Sequence, residues 1–155
     1  MIRSFLIGLV AGMRSMTPLA AVSRAARRGD LPANNGAPSL LAHPLDSMGA
    51  TALAAGELAG DKLPSAPDRT VAAGMAGRLV TGALAGVALA PRDQRLAAAA
   101  LGAAGAVAGA YLSFGARKQA MRRFGQTSTG LVEDAITLAA TRRLVGGASA
   151  PRRGA

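Results

Sequence analysis

The chain has no cysteine and no tryptophan, and among its 155 residues only Tyr111 and three phenylalanines are aromatic. Without cysteine there are no disulfides and no thiol chemistry, and the compartment is left open. Without aromatics there are no stacking platforms of the kind that single-strand nucleic-acid binders use. A soluble core would also lack large side chains, although half of the residues are hydrophobic. The one histidine, His43, stands apart from any local cysteine or carboxylate cluster, so no metal site is expected. The chain holds no G-x-S-x-G, no H-E-x-x-H and no P-loop, so neither an enzymatic activity nor a cofactor is expected.

Alanine and glycine carry the apolar count, with 20 glycines. Such residues let helix backbones approach closely, as membrane helices do. The mean hydropathy of +0.28 is modest, partly because arginine-rich connections and a basic tail lower it. The 18 Lys and Arg against 8 acids leave a net charge of +10. These basic residues flank apolar segments, which points to anionic lipid headgroups rather than nucleic acid as the partner. The plainer alternative is that they anchor helix ends.

Five apolar segments follow one another, at about 2–26, 45–60, 70–90, 96–114 and 127–145. The fold class expected is all-α, a polytopic transmembrane bundle of four to five Gly/Ala-rich helices. It forms a single domain over 1–146, followed by a basic, disordered tail over 147–155. The first segment begins like a signal peptide, but Arg14 interrupts directly after its apolar core, which favours a retained transmembrane helix. Thr17-Pro18 is expected to kink it, with the Thr17 hydroxyl satisfying a carbonyl that the proline frees. Ser23–Pro44 reads as connection, and Gly56–Thr70 as a hinge in which Pro64 and Pro67 make a stiff turn. Arg117, Lys118, Arg122 and Arg123 read as a basic loop or short interfacial helix. The fifth segment carries Glu133, Asp134, Arg142 and Arg143, too many charges for an independent span. Basic residues divide seven against nine between the two sides of a five-span arrangement. Charge therefore does not fix the orientation, and the expectation leans towards a cytoplasmic C-terminus and first loop.

Four Gly-x-x-x-Gly pairs occur: Gly8/Gly12, Gly56/Gly60, Gly82/Gly86 and Gly105/Gly109. Random placement would produce roughly 2.5, so location matters more than number: each pair lies in a different apolar segment. These glycines are expected to be helix-packing positions, and they leave room for a homo-oligomer. The charges within the apolar segments are Arg14, Glu57, Asp61, Arg78, Glu133 and Asp134. One central arginine costs about 2.5–3.5 kcal/mol on insertion, against roughly 0.3–0.6 gained per large apolar residue. The helix holding Arg78 therefore comes out near zero unless its guanidinium finds a partner. Arg78 is expected to pair with Glu57, Glu133 or Asp134, and Arg14 with another of these acids, because arginine forks match carboxylates. Arg-x-x-Thr recurs at Arg14–Thr17 and Arg78–Thr81, an echo that an inverted repeat would produce.

MRSMTPLAA, GELAGDKLPSAPDRT, GRLVTGALAG, GAAGAVAGAY and LVEDAI together cover nearly the whole chain. In these stretches it resembles the bacterial domain-of-unknown-function 4126 family. The resemblance implies an integral protein of the bacterial inner membrane and carries over no catalytic residue. The basic end TRRLVGGASAPRRGA departs from the more apolar last helix of that family. Three function classes remain: a membrane scaffold or assembly subunit, a small oligomeric channel or transporter for a proton, ion or small anion, and a soluble or peripheral basic protein.

Overall fold

The computed structural model describes residues 1–60 and 72–148, with Gly60, Ala72 and Ala73 described by their helical backbone alone. Asp61, the hinge that follows it and the tail from 149 onward lie outside the described residues. The described residues are all-α, without a strand: α1 Ile2–Met13, α2 Met16–Arg28, α3 Pro44–Gly60, α4 Ala72–Ala88, α5 Arg95–Phe124 and α6 Gln126–Gly146. Short 3-10 turns, Ser39–Ala42 and Arg92–Gln94, precede α3 and α5.

Four of the five apolar segments correspond to single helices, but the first is two. The chain breaks at Arg14, whose backbone is extended at φ −139°, ψ 107°. Pro18 therefore does not kink a continuous helix. It lies in the first turn of α2, where its missing N–H removes no intrahelical bond. The Thr17 hydroxyl accordingly has no carbonyl to rescue, and it finds no hydrogen-bond partner among the described residues. At its other end α2 runs on to Arg28, so Ser23–Arg28 are helical rather than connection. Gly29, at φ 70°, closes α2 in the left-handed conformation that favours glycine.

The small-residue seams decide the packing. A Cβ on Gly8 would overlap the Gly102 carbonyl, and one on Gly109 would overlap the Leu9 carbonyl. One on Gly82 would sit 2.7 Å from Gly102 O, and one on Gly86 2.7 Å from Ala98 O. Gly12 and Gly105 are as tightly opposed, to Ala106 and Phe5 respectively. So α1, α4 and α5 meet backbone to backbone along one seam. Gly56 is not part of it: nothing among the described residues approaches a Cβ placed there. The packing environment of Gly60 is outside the description. Gly102, in no Gly-x-x-x-Gly pair, is the glycine on which α1, α4 and α5 converge. Ser4 adds a hydrogen bond within the seam, donating to Gly86 O at 3.0 Å. A second layer surrounds Ile7, Val22, Leu31, Leu41, Ala85, Ala88 and Val145, and brings α2 and α6 against α1 and α4.

The irregular connection after α2 is tied down by the turn before α5. Gly36 N donates to Ala90 O at 2.7 Å, Arg92 Nε to Asn35 O at 3.1 Å and Arg95 Nε to Gly36 O at 2.8 Å. The basic stretch from Arg117 is also not a separate element, since α5 continues unbroken to Phe124. With its preceding turn, α5 spans Arg92–Phe124 and is the one described helix long and apolar enough to cross a membrane, its most apolar 18 residues having a mean hydropathy of 1.6. Ile2–Met13 and Gly74–Ala88 are apolar but shorter. The expected tail starts in packed structure, with Ala148 buried and its N–H donating to Val145 O at 3.0 Å.

Candidate functional site at a broken helix

Breaking a helix inside a bundle exposes carbonyls at one new end and N–H groups at the other. Here neighbouring helices supply groups to both ends. At the start of α2, the Glu57 carboxylate of α3 accepts from Ser15 N at 2.9 Å, Ser15 Oγ at 3.0 Å and Met16 N at 2.8 Å. A carboxylate here also faces the positive end of the α2 dipole. At the end of α1, Arg78 of α4 donates from Nε to Gly12 O at 3.1 Å, placing a cation at the negative end of α1. Arg14 N closes the last turn of α1 onto Val10 O at 2.9 Å.

The Arg14 side chain is 1% exposed and lies between α3 and α6. Its Nη2 is 2.5 Å from Asp134 Oδ1, and its Nη1 donates to the Glu57 backbone carbonyl at 3.3 Å. Beside Asp134, Glu133 Oε2 accepts from Arg117 Nη1 at 3.2 Å, linking α6 to α5. Arg14, Glu57, Arg78, Glu133 and Asp134 thus fall in one polar layer around the break, and each bonds to another helix or to the break itself. Asp61 lies outside the described residues. The expected pairing of Arg14 with an acid takes the form Arg14–Asp134, and Arg78 donates to the helix-end carbonyl of Gly12. The internal echo is not matched in the backbone: Arg14 interrupts a helix, while α4 passes through Arg78 unbroken.

Two members of the layer escape a reading of the sequence. Ser15 is ordinary by composition, yet its position three residues before Pro18 is where an N-cap precedes a first-turn proline. Arg117 follows an apolar run and reads as part of a basic loop or short interfacial helix, but its side chain lies in the α5–α6 contact, on Glu133. A second polar feature is the set of buried hydroxyls of Thr17, Ser23, Thr137 and Thr141 on α2 and α6, none of which has a hydrogen-bond partner among the described residues. His43 is exposed, with Nδ1 3.8 Å from Asp46 Oδ2.

The arrangement can hold two half-helices in fixed register and neutralise their ends. No protein-family model, curated protein or solved structure matches the chain.

Proposed function

We propose that this chain is a multi-pass integral membrane protein that acts as a helical scaffold or assembly subunit. The observation that carries this reading is the use to which its buried charges are put. Glu57 ties α3 to α2, Arg78 ties α4 to α1, Arg14 ties the break to α6, and Arg117 ties α5 to α6. Every one of these ties joins different helices, the pattern expected of charges that set register. Large apolar side chains face outward on α3, α5 and α6, among them Leu53, Leu96, Leu112, Leu131 and Ile136. Lipid contact accounts for such surfaces more readily than water does. The resemblance to the 4126 family supports the bacterial inner membrane as the location.

One observation favours a transport reading as the second choice. Membrane transporters commonly place solute sites where half-helix ends face each other. In this chain those ends are met by Glu57 and Arg78. Two measurements separate the readings. Alkaline carbonate should leave the full chain in the membrane pellet, and release into the supernatant would end the integral reading. Liposomes holding the purified chain should then show no more proton or chloride leak than empty ones. A leak abolished by Glu57→Gln in a still-folded protein would favour transport instead.

A further inference from the structure

A trough of about 750 Å³ runs between α2, α3 and α6. Its floor is small and apolar, formed by Ala20, Ala54, Ala55, Leu58 and Leu138. Its direction follows from the contacts at either end. Glu57 of α3 and Asp134 of α6 both reach the Arg14–Met16 break, so Leu58 and Leu138 lie at the inner end. Val145 of α6 packs in one cluster with Ala25 and Leu31, so the C-terminal ends of α2 and α6 lie together at the other end. Three arginines line the trough towards that second end: Arg24, Arg28 and Arg142, with Asp30 as the one acid among the lining residues. All three arginines are exposed, and Arg24 Nη2 is held 3.5 Å from Thr51 Oγ1 of α3. From Thr17 to Arg24 the trough extends about 10 Å along α2 at the usual helical rise. It is thus mainly apolar inside, with the hydroxyls of Thr17, Thr51 and Thr141 as its polar groups, and cationic at its mouth.

We infer that this trough is a binding site for an anionic phospholipid, with the phosphate at Arg24, Arg28 and Arg142 and one acyl chain along the alanine floor. Charge complementarity selects the ligand. Three guanidiniums against one carboxylate suit a phosphate, and guanidinium forks bind phosphate oxygens in pairs. The alanine floor leaves space for a chain instead of filling it with side chains, and the volume lies in the range of ligand sites. Basic pockets between membrane helices bind anionic headgroups by the same physics. The inference rests on the membrane reading above and deepens it by naming a site and a lipid class.

The test uses the purified full chain in detergent, with lipid retention read by native mass spectrometry. Phosphatidylglycerol should be retained in preference to phosphatidylcholine, and glycerol 3-phosphate should not displace it at matching concentration. Arg24→Gln and Arg142→Gln should each weaken retention about fivefold, the effect of one basic residue at a headgroup. Arg27→Gln, on α2 but outside the trough, should leave it unchanged. Ala55→Phe, at an exposed floor position, should weaken retention without changing the unfolding temperature. Equal retention of the two lipids, an Arg27→Gln loss as large as that of Arg24→Gln, or an Ala55→Phe variant that binds normally would overturn the site. Displacement by glycerol 3-phosphate would make it a site for free phosphate esters and overturn the lipid assignment. Carbonate extraction keeps the two failures apart: a chain that stays in the membrane yet shows no lipid preference defeats this inference alone.

Discussion

At the scale of single residues, Glu57 does the work of an N-cap from a different helix. Ser15 occupies the cap position of α2, but its side chain makes no cap hydrogen bond; its hydroxyl donates to Glu57 instead. The carboxylate then takes up two backbone donors that a broken helix would leave unmet. Glu57→Gln keeps the size, removes the charge and can turn an amide N–H towards those donors. It should cost about 1.5–3 kcal/mol, the scale of a hydrogen bond to a charged group. Denaturant unfolding in detergent checks this, and an unchanged midpoint would show that the cap contributes nothing. Thr137 makes the opposite case. Its side chain is fully buried and its hydroxyl is without a partner among the described residues. Burying an unsatisfied hydroxyl costs about 1–3 kcal/mol, whereas valine has the same shape without it. Thr137→Val should therefore raise the unfolding temperature. A fall would show that the hydroxyl serves a bound water or ligand.

At the scale of elements, the packing of α1, α4 and α5 depends on which glycines are in contact. Gly82→Leu and Gly105→Leu should both prevent a folded product or sharply lower the unfolding temperature, because backbone atoms of α5 and α1 stand where a side chain would go. Gly56→Ala should be neutral or stabilising by up to about 1 kcal/mol, since it faces open space among the described residues and alanine is the better helix former. A Gly56→Ala variant as damaging as Gly82→Leu would refute the assigned seam. The same comparison shows what was legible. Apolar composition placed α3, α4 and α6 to within a few residues but ended α5 at 114, well short of Phe124, because the basic residues from Arg117 on are not apolar; Gly-x-x-x-Gly spacing found six contact glycines. It missed Gly102 because the seam on α5 follows the helical 3,4 alternation of Gly102, Gly105 and Gly109, and a single i,i+4 motif samples only part of that stripe. It assigned contact to Gly56 because spacing does not say which face of α3 meets a neighbour. The break at Arg14 was hidden for a physical reason: Met-Arg-Ser-Met holds no Gly or Pro to force it. What stabilises the break is a carboxylate some forty residues away, and pattern reading does not reach that far.

At the scale of the whole molecule, the charges make the bundle one cooperative object. Two half-helices meet end to end, and α3, α4 and α6 each contribute a group to the junction. Loss of any one group should therefore be felt as loss of global stability rather than as a local opening. The site's residue types were legible as charges within apolar segments, but the partners were not. Whether Arg14 meets Glu57, Glu133 or Asp134 depends on helix rotation, and i,i+1 acids such as Glu133 and Asp134 differ in direction by about 100° on a helix. The structure directs Asp134 to Arg14 and Glu133 to Arg117. Whether this network fixes the fold is read from a double-mutant cycle on Arg14 and Asp134, followed by global unfolding in detergent. Arg14→Leu or Asp134→Leu alone should cost about 3–5 kcal/mol, because each leaves a buried charge without its ion-pair partner. The double variant should cost clearly less than the two losses added, with a coupling of about 1–3 kcal/mol. Additive losses, or single variants as stable as the parent, would contradict the account.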